Sequence, residues 1–387
     1  MKYKLKNIFD LQMGKTPSRN NTNYWNTNDY EWISIADLSK TEKYITHTKE
    51  YLSALAIEES GIKVIPANTV VMSFKLSIGK TAITGKDMYC NEAIMAFHDK
   101  HVVDILPEYI YYMFKYRNWD NGSNKAVMGK TLNKSTLSEV EIDICSIEKQ
   151  KEIVAVLDKV MESLSSRKKE MALLDELVRG RFVELFGDVS TETYKYETRR
   201  LGEVANVGSS HRVFTTEFVD KGVPFYRGTE IGELAKGNKP TEPFYISEEH
   251  YNRLANDDTK PKVGDLLMPS ICNKGQVWMV DTDKPFYYKD GRVLCISPNR
   301  EFFNTKYFEY FMRIKTLVEY PKLGSGSTFA EFKIFMLKGI DVLVPPIELQ
   351  NQFADFVKQI DKSKLIVQKE LDETQLLFDS LMQEYFG

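Results

Sequence analysis

Short segments of the chain have the glycine-lysine-threonine order with which phosphate-binding loops end, at residues 14–16, 79–81 and 129–131. Such a loop also needs a glycine five positions before its last glycine, because its backbone amides must wrap around the phosphates. The residues at those positions are Phe9, Phe74 and Asn124. We therefore expect no nucleotide-binding site in this chain.

Other groups that could do chemistry also lack the partners that the chemistry requires. His98 and His101 are three residues apart in a turn-like stretch, without the glutamate of an H-E-x-x-H zinc helix. Residues 331–333 have the E-x-K spacing of a nuclease but no preceding proline-aspartate strand. The prolines 345–346 are followed by isoleucine, whereas a motif for amino-group methylation has an aromatic residue there. The G-x-G at 324–326 lacks the third glycine of a G-x-G-x-x-G loop that could bind S-adenosylmethionine. The sequence predicts a chain with no catalytic residue, no metal site and no cofactor of its own.

Polar loops rich in glycine, lysine, arginine and amide side chains suggest a different chemistry. Lysine and arginine can neutralise phosphates or reach guanine edges, asparagine and glutamine can bond adenine edges, and glycine lets backbone amides approach phosphates. The candidate DNA-binding residues are Lys15, Arg19, Asn20, Lys75, Lys80, Lys130, Asn133 and Lys134, and, further along the chain, Arg212, Arg227, Asn273, Lys274, Gln276, Ser327 and Lys333. For any single one of these residues, a solvated loop side chain remains the simpler interpretation.

The distribution of charge is compatible with this chemistry although the net charge is −3. Lysine and arginine outnumber aspartate and glutamate by one in residues 1–146 and again in residues 190–345. The excess of acidic residues lies in the two stretches that follow these regions. A uniformly basic protein is excluded, but a local basic face on each region is not.

The elements that must position these loops are organised around two stretches with apolar residues in alternating steps of four and three. One occupies residues 147–187, and the other has the same pattern about two hundred residues later. This is a heptad pattern, and it predicts a helix that pairs with another helix. The predicted pairing residues are Ile153, Leu157, Val160, Leu164, Leu174 and Val178 in the first helix, and Phe353, Val357, Ile360, Leu371, Phe378 and Leu381 in the second, and the two patterns continue to Leu185 and Tyr385.

A helix of about 39 residues is roughly 58 Å long, and so narrow an apolar stripe needs a partner helix to bury it. We expect the two helices to pair with each other in antiparallel orientation. Arg167 and Lys364 interrupt the stripe, and we expect their charged groups at its edge with their stems packed. The alternative is that each helix lies against its own globular region.

The regions before the two helices also align with each other, which indicates an internal repeat. Aromatic-aliphatic strands are predicted at 30–35 and 223–228, turns into buried strands at 64–73 and 261–270, and amphipathic helices at 109–114 and 307–312. Each region ends in a polar glycine-containing loop, at 128–135 or 323–328, and a closing strand. The predicted fold class is α+β, with two similar mixed α/β domains separated by two long antiparallel helices that form a coiled coil with pseudo-twofold symmetry.

A pseudo-twofold protein with two reading domains matches the twofold symmetry of duplex DNA. A rod of roughly 50 to 58 Å exceeds one helical turn of DNA, about 34 Å, so it could reach two separated half-sites. The two regions differ in sequence, so the half-sites need not be the same.

The spacing of the cysteines and the hydropathy of the chain indicate in which cellular compartment the protein is expected. The cysteines, at positions 90, 145, 272 and 295, form no C-x-x-C pair, which argues against a disulfide framework and a zinc finger. The chain has no run of eighteen apolar residues, and residues 1–6 lack the apolar stretch of a signal peptide. We expect a cytoplasmic protein that does not interact with membranes.

At these residues the chain resembles the specificity subunits of Type I restriction-modification enzymes, and the resemblance covers its whole length. The most specific segments are 147–153 and 344–353, which are similar to the start of each long helix in the family, and 326–329 with 337–340, which resemble the end of a target-recognition domain. The residues before the first helix, 143–146, depart from the proline-rich start of the second.

The resemblance implies target-recognition domains at residues 1–146 and 188–344 and spacer helices at 147–187 and 345–387. Each domain would read one half of a bipartite sequence in double-stranded DNA, and the helices would set the spacer and dock two modification (methyltransferase) subunits. Restriction subunits would join the full complex. Catalysis, with S-adenosylmethionine, ATP and Mg²⁺, would reside in these partner subunits.

Two alternatives of other classes remain at this stage. The chain could be a coiled-coil scaffold whose duplicated heads bind proteins or glycans, in which case exposed aromatic grooves should replace the polar loops. It could also be a stand-alone nuclease or methyltransferase with an unrecognised site.

Overall fold

The computed structural model describes residues 1–25, 27–75, 77–119, 132–255, 259–323 and 330–387. The chain divides into two compact units, which we call unit 1 (residues 1–169 and 368–387) and unit 2 (residues 170–367). Lys130 and Ser327, together with most of the two predicted glycine-containing loops, lie outside the described residues.

Unit 1 contains short strands and helices followed by a long helix. Its strands are β1 (Lys2–Lys4), β2 (Phe9–Met13), β3 (Tyr30–Ile33), β4 (Tyr44–Ile45), β5 (Glu50–Leu52), β6 (Val70–Ser73), β7 (Thr81–Thr84), β8 (Tyr89–Cys90), β9 (Ile94–Asp99) and β10 (Glu141–Asp143). Its helices are α1 (Leu5–Ile8), α2 (Ile35–Leu38), α3 (Ala54–Ser60), α4 (Pro107–Tyr116), α5 (Lys134–Ser138) and the first part of α6 (Ile147–Phe186).

The sheets of unit 1 have the orders β2-β9-β6-β7-β4 and β5-β3-β8, and β1 pairs with β10. Capping residues start several of the helices. Ser34 accepts a hydrogen bond from the backbone N–H of Asp37 (3.3 Å), and the Asp37 carboxylate accepts one from the backbone N–H of Ser34 (2.9 Å). This capping box ends the strand and begins α2, so the strand predicted at 30–35 is two residues too long.

Unit 2 repeats this order with small additions. Its strands are β11 (Gly187–Asp188), β12 (Thr193–Tyr194), β13 (Thr198–Arg200), β14 (Ala205–Gly208), β15 (Phe218–Val219), β16 (Val223–Tyr226), β17 (Phe244–Ile246), β18 (Leu266–Pro269), β19 (Trp278–Met279), β20 (Tyr287–Tyr288), β21 (Val293–Pro298) and β22 (Asp341–Leu343). Its helices are α7 (Leu201–Val204), α8 (Gly228–Leu234), α9 (Glu248–Leu254), α10 (Thr305–Glu319), α11 (Ile334–Lys338) and the first part of α12 (Ile347–Phe386).

The sheet orders of unit 2 correspond to those of unit 1. They are β14-β21-β18-β19 and β15-β17-β16-β20, and β13 pairs with β22 as β1 pairs with β10. The long helices begin 200 positions apart, at Ile147 and Ile347, and each has 40 residues. The fold class and the internal repeat predicted from the sequence are therefore confirmed.

The two long helices meet inside each unit, and they meet in opposite directions. In unit 1 the early residues Ile153, Leu157 and Leu164 share a core with the late residues Phe378 and Met382. In unit 2 the late residues of α6 share a core with the early residues of α12, in a cluster that includes Val178, Phe353, Val357 and Ile360. The predicted antiparallel pairing is confirmed. In both units the helices also pack against the globular part, which is the kind of contact that the alternative expected.

The charged residues within the stripe form ion pairs. Arg167 pairs with Glu370 (3.0 Å) in unit 1, and Lys364 pairs with Asp175 in unit 2. Both basic side chains are only partly exposed, at 36% and 24%. The expectation of charged groups at the edge and packed stems is met.

Near the end of each helix the buried face includes residues outside the predicted stripe, whose own residues Leu185 and Tyr385 pack at the edge of the same cores. Phe182, Phe186 and Met382 are buried, whereas Leu185 and Tyr385 are only partly buried. A straight helix has 3.6 residues per turn, so a buried face drifts from a strict heptad where the helix packs on a domain rather than on one partner helix.

One other prediction needs correction. In helix α4 all six residues 109–114 are buried, and its exposed residues, Lys115 and Tyr116, follow them. His98 does not lie in a turn: it belongs to β9, and its Nε2 lies 3.1 Å from Oε1 of Gln12 on the neighbouring strand β2.

Candidate nucleic-acid interface

The candidate loops of unit 1 converge at one end of the five-stranded sheet. The register pairs Met13 at the end of β2 with Met95 near the start of β9, and Met95 with Met72 near the end of β6. The loops that follow β2 and β6 and the loop that precedes β9 therefore leave the sheet at the same end. Lys15, Lys75 and Lys80 lie on these loops.

Backbone hydrogen bonds hold these loops against one another. Lys15 N–H donates to Cys90 O (2.9 Å), and Phe74 N–H donates to Ala93 O (2.9 Å). Leu132 N–H donates to Phe74 O (3.1 Å), which brings the start of α5, with Asn133 and Lys134, to the same end. Five of the predicted residues of unit 1 thus share one end of the sheet.

Several of these side chains already have partners. The Lys15 ammonium donates to the carbonyl of Ser60, and that of Lys80 donates to the hydroxyl of Ser39. Asn133 caps α5 by accepting a hydrogen bond from Thr136 N–H (2.8 Å). These hydrogen bonds fix the two lysine side chains and the geometry of the loops. The partners of the lysines are exposed groups at the surface, so each ammonium can leave its partner and bind a phosphate instead.

Arg19 has a structural role in this unit. Its guanidinium makes two hydrogen bonds to Glu50 (2.5 and 3.2 Å) and lies over the rings of Trp25 (3.8 Å) and Trp32 (4.9 Å). A bidentate pair stacked on aromatic rings holds its geometry firmly. Arg19 would have to release Glu50 to contact DNA, whereas the neighbouring Asn20 is exposed.

Unit 2 forms the same junction at the corresponding end of its sheet. Ser270 N–H donates to Arg292 O (2.9 Å), as Phe74 N–H does to Ala93 O in unit 1. Phe332 N–H donates to Ser270 O (2.8 Å), in place of the bond between Leu132 and Phe74. The loop after β18, the loop before β21 and the segment before α11 therefore meet as they do in unit 1, and Ser209, on the loop after β14, joins them by accepting from Gly291 N–H (2.8 Å).

This junction of unit 2 carries an ionic cluster. Glu331 binds Arg292 (2.7 Å), contacts the Ser270 hydroxyl (3.4 Å) and pairs with Lys333. The hydrogen bond from Lys333 and the charges of Lys333 and Arg292 hold the pKa of Glu331 below its ordinary value. Arg292 is 59% exposed and was missed by the sequence prediction, although its position directly before β21 could have identified it.

The loop after β18 carries exposed polar groups. Asn273 and Lys274 are exposed, and the turn between them and β19 uses Gly275 at φ 65°. Gln276 closes the turn by accepting a hydrogen bond from Lys274 N–H (3.0 Å). Arg212, on the loop after β14, pairs with Asp290 (3.1 Å) while remaining 69% exposed.

Arg227 is mainly structural, as Arg19 is in unit 1. It pairs with Glu230 through two side-chain bonds (2.7 and 3.1 Å) and lies over the ring of Phe244 (4.5 Å). Burial acts to raise the pKa of Glu230, but the hydrogen bonds from Arg227 outweigh it and keep the carboxylate ionised. This pair stabilises the start of α8.

The three buried thiols, Cys90, Cys272 and Cys295, are poor candidates for nucleophiles. Burial raises the pKa of Cys272 to about 11, and it raises the pKa values of Cys90 and Cys295 as well. Thiols with raised pKa values are protonated at neutral pH and inert. Within the described parts of the chain, no three His, Cys, Asp or Glu residues are grouped to hold a metal ion.

Among the described residues, no helix is both long enough and apolar enough to span a membrane.

Fold and loop junctions together define an internally duplicated α+β protein, with one polar loop cluster in each unit and two forty-residue helices shared between the units. The chain belongs to the family described as "Type I restriction modification DNA specificity domain", whose model matches residues 1–174 and 194–375.

Named relatives agree with this family. The chain is 25% identical to the Type I restriction enzyme MjaIX specificity subunit of Methanocaldococcus jannaschii, over 98% of this chain and 90% of that protein. It is 26% identical to the HindI specificity subunit of Haemophilus influenzae over 45% of this chain and 39% of that protein.

Solved structures share the fold. The S subunit of a Type I restriction-modification system from M. genitalium superimposes with a TM-score of 0.55 at 15% identity, covering 100% of this chain and 96% of that one. A chain from a study of complex assembly and conformational transition in the type I R-M system gives a TM-score of 0.60 at 16% identity, covering 100% and 97%.

Proposed function

We propose that this chain gives DNA-sequence specificity to a Type I restriction-modification complex. The globular part of each unit, within residues 1–146 or 188–344, acts as a target-recognition domain and reads one half of a bipartite site. The observation that carries this proposal is the repeated loop junction, in which Leu132 N–H binds Phe74 O in one unit and Phe332 N–H binds Ser270 O in the other. One chain therefore presents two equivalent but chemically different clusters of basic and amide side chains.

The contacts within the described residues separate the candidates into two groups. Arg19 and Arg227 are committed to carboxylates and aromatic rings, and they position the loops. Asn20, Lys134, Asn273 and Lys274 are exposed, and their side-chain nitrogen and oxygen atoms bind no other described residue. We expect the amides of this second group to read bases and the lysines to bind phosphates.

The paired helices, within 147–187 and 345–387, have two roles in this proposal. They set the spacer between the half-sites, and they dock two modification subunits. Support for docking comes from leucines that the helices leave exposed, Leu173 (63%) and Leu177 (51%) in unit 2 and Leu376 (70%) and Leu377 (51%) in unit 1. Clustered exposed apolar side chains typically mark protein interfaces.

Catalysis belongs to the partner subunits in this proposal. Methyl transfer from S-adenosylmethionine would take place in the modification subunits, and ATP- and Mg²⁺-dependent cleavage in restriction subunits where they are present. The complex would act on DNA in the cytoplasm.

The proposal is tested by a gel-shift experiment with the chain and its modification subunits on duplexes that contain both half-sites, either one, or neither. We expect the tightest binding only when both half-sites are present. Equal affinity for all four duplexes would overturn the proposal. The chain alone, supplied with S-adenosylmethionine or Mg²⁺ and DNA, should neither methylate nor cleave.

Matched variants assign the two loop clusters. Asn273→Ala should relax specificity at one position of one half-site, by about 1–3 kcal/mol, and leave the other half-site unchanged. Lys274→Ala should weaken binding to all sequences alike and reduce the dependence of log K on log salt by about one. Asn20→Ala should relax specificity at one position of the other half-site. Lys134→Ala should weaken binding to all sequences alike.

A further inference from the structure

Arg292 stands on a fixed backbone at the loop junction of unit 2. Its carbonyl accepts the hydrogen bond from Ser270 N–H (2.9 Å), and the next residue, Val293, begins β21. The preceding residue, Gly291, turns the chain at φ 62° and donates its N–H to the Ser209 hydroxyl (2.8 Å). The backbone at Arg292 is therefore bonded to the loops after β14 and β18, whatever its side chain contacts.

Glu331 holds the side chain of Arg292 in place. Its Oε2 atom accepts hydrogen bonds from Nη1 of Arg292 (2.7 Å) and from the Ser270 hydroxyl (3.4 Å). Its Oε1 atom accepts one from the ammonium of Lys333. The carboxylate is only 22% exposed, and the backbone N–H of the next residue, Phe332, donates to Ser270 O (2.8 Å). Glu331 is thus a fixed support for one part of the guanidinium.

The rest of the guanidinium is available to a ligand. A guanidinium carries five N–H donors in a planar fork, and Glu331 binds at Nη1. Within the described parts of the chain, Nη2 and Nε of Arg292 make no hydrogen bond, and the side chain is 59% exposed. Donors that are already oriented side by side suit a ligand with two neighbouring acceptors.

The charges of this cluster favour a base edge over a phosphate as that ligand. The pKa of Glu331 lies below its ordinary value, chiefly because of the hydrogen bond from Lys333, so its carboxylate is ionised at neutral pH. It offsets one of the two cations that it binds. A phosphate at Arg292 would lie close to this carboxylate and be repelled by it. A base edge carries no net charge and is bound by directed donors.

The flanking charges can make the backbone contacts that accompany base readout. Arg212, on the loop after β14, pairs with Asp290 (3.1 Å) while remaining 69% exposed. Lys289 lies on the same turn as Asp290 and is partly exposed. Such cations bind phosphates and fix the register of a protein on the duplex, whereas base contacts supply the specificity.

We propose that Arg292 reads a guanine in the half-site of unit 2 and that Glu331 positions it for this contact. Guanine presents two acceptors, O6 and N7, in the major groove, and two N–H groups of one guanidinium can bond both. Adenine has an amino donor in place of O6, so it cannot accept this pair of bonds. The inference rests on the function proposed above and adds one base and two residue roles to it.

Unit 1 has no arginine at the equivalent position. Ala93 accepts the hydrogen bond from Phe74 N–H directly before β9, as Arg292 does from Ser270 N–H before β21, and it is buried. A methyl group cannot bond a base edge through hydrogen bonds. Changes at Arg292 should therefore alter one half-site and leave the other as it is.

The test compares the motifs that the chain and its modification subunits methylate in a library of randomised duplexes, with wild-type chain and with Arg292→Ala. We expect one guanine of the wild-type motif to become replaceable in the variant, with a loss of discrimination of about tenfold or more. If Arg292 bound a phosphate instead, all sequences would lose affinity alike and the dependence of log K on log salt would fall by about one. That result would overturn the assignment.

Arg292→Lys separates charge from geometry. Lysine keeps the positive charge but lacks the planar fork, so we expect an unchanged salt dependence and a weaker preference for guanine. Arg253→Lys makes the same change at an exposed arginine of α9 that pairs with Glu217 (3.8 Å), and it should leave the motif unchanged. A full preference for guanine in the Arg292→Lys variant would contradict the contact through two bonds.

Glu331→Gln tests the positioning role with a readout that a purely structural role would not move. The variant removes a negative charge beside the DNA, so binding to all duplexes should strengthen and its salt dependence should steepen. At the same time the discrimination for guanine at this one position should fall, because the guanidinium is held less firmly. Discrimination equal to that of the wild-type chain would show that Glu331 does not position Arg292.

The outcomes distinguish this inference from the proposed function. A wild-type complex that methylates duplexes without sequence preference would overturn the proposed function, and the guanine contact with it. A wild-type complex with a bipartite motif that Arg292→Ala leaves unchanged would overturn the guanine contact alone. The same holds if the base that becomes replaceable in this variant is not a guanine.

Discussion

Gln150 and Gln350 occupy equivalent positions in the two long helices, and each is buried with the same set of hydrogen bonds. The amide of Gln150 donates to Asp104 O (2.9 Å) and Cys145 O (3.0 Å) and accepts from Leu106 N–H (2.9 Å). Gln350 donates to Phe302 O (2.8 Å) and Pro345 O (2.8 Å) and accepts from Asn304 N–H (2.9 Å). Each glutamine thus joins the start of its long helix to the loop before α4 or α10 and fixes how the helix leaves the domain.

Gln350→Leu should destabilise unit 2. Leucine has a similar size but leaves the carbonyls of Phe302 and Pro345 and the backbone N–H of Asn304 without this partner. We expect a loss of about 2–4 kcal/mol in the free energy of unfolding. Urea denaturation measures the loss, and hydrogen exchange should locate it in unit 2. Gln359→Leu, at an exposed position of the same helix, should change stability by less than about 0.5 kcal/mol. Equal effects of the two variants would show that the buried network does not hold the helix.

Acid should loosen the hairpin that β11 and β12 form in unit 2, through Glu192 at its turn. Hydrogen bonds from Lys322 and Lys315 lower the pKa of Glu192 from 4.5 to about 2. Because the folded pKa is depressed, its stabilising contribution is fully present above pH 4.5 and is lost as the pH falls toward 2. Hydrogen exchange of residues 187–196, compared with that of the rest of unit 2, should accelerate across this interval.

The control for this pH effect is the neutral variant Glu192→Gln, in which the hairpin should exchange faster at neutral pH and show a flatter pH dependence over the same interval. Glu203→Gln changes an exposed glutamate of α7 and should leave the exchange of the hairpin as it is. A pH dependence that survives in the Glu192→Gln variant would assign the effect to another group.

Lys364→Leu should stabilise the helix pair in unit 2. Lys364 lies within the apolar stripe at 24% exposure, and its partner Asp175 is 67% exposed. An exposed ion pair contributes about 0–1 kcal/mol, whereas a leucine packed in the stripe gains more than that by burial. We expect a gain of roughly 1 kcal/mol in thermal unfolding experiments. Lys362→Leu, on the exposed side of α12, should bring no such gain; a gain of the same size there would indicate a general effect of helix propensity.

The repeat and the long helices could be predicted because they follow from local periodicity. The heptad pattern predicts the first long helix over residues 147–187, and the structure has it at Ile147–Phe186. The burial of Phe182 and Phe186 could not be predicted from a heptad pattern, because their partners Tyr307 and Tyr310 belong to α10, more than a hundred residues away in sequence. The capping box of Ser34 and Asp37, by contrast, is a local signal that was available in the sequence.

The candidate site was only partly predictable for the same reason. Residue type and glycine content identified the loops, and the junction around Phe74 and Ser270 brings several of them together. The partners of Arg19 are distant in sequence, Glu50 being 31 residues away, so no local pattern indicates that this arginine is already occupied. Whether the exposed residues bind DNA stays a prediction.

The length of the paired helices should determine the accepted spacer between the half-sites. Removal of one heptad from equivalent positions of both helices, residues 165–171 and 365–371, keeps the stripe in register and shortens each helix by about 10 Å. At about 3.4 Å per base pair, the preferred spacer should shorten by roughly three base pairs while both half-sites keep their sequences. Methylation of a duplex library with randomised spacer length, by the chain and its modification subunits, measures this shift. Deletion from one helix only puts the two stripes out of register and should lower stability instead. A preferred spacer that remains the same after the double deletion would show that the helices do not set it.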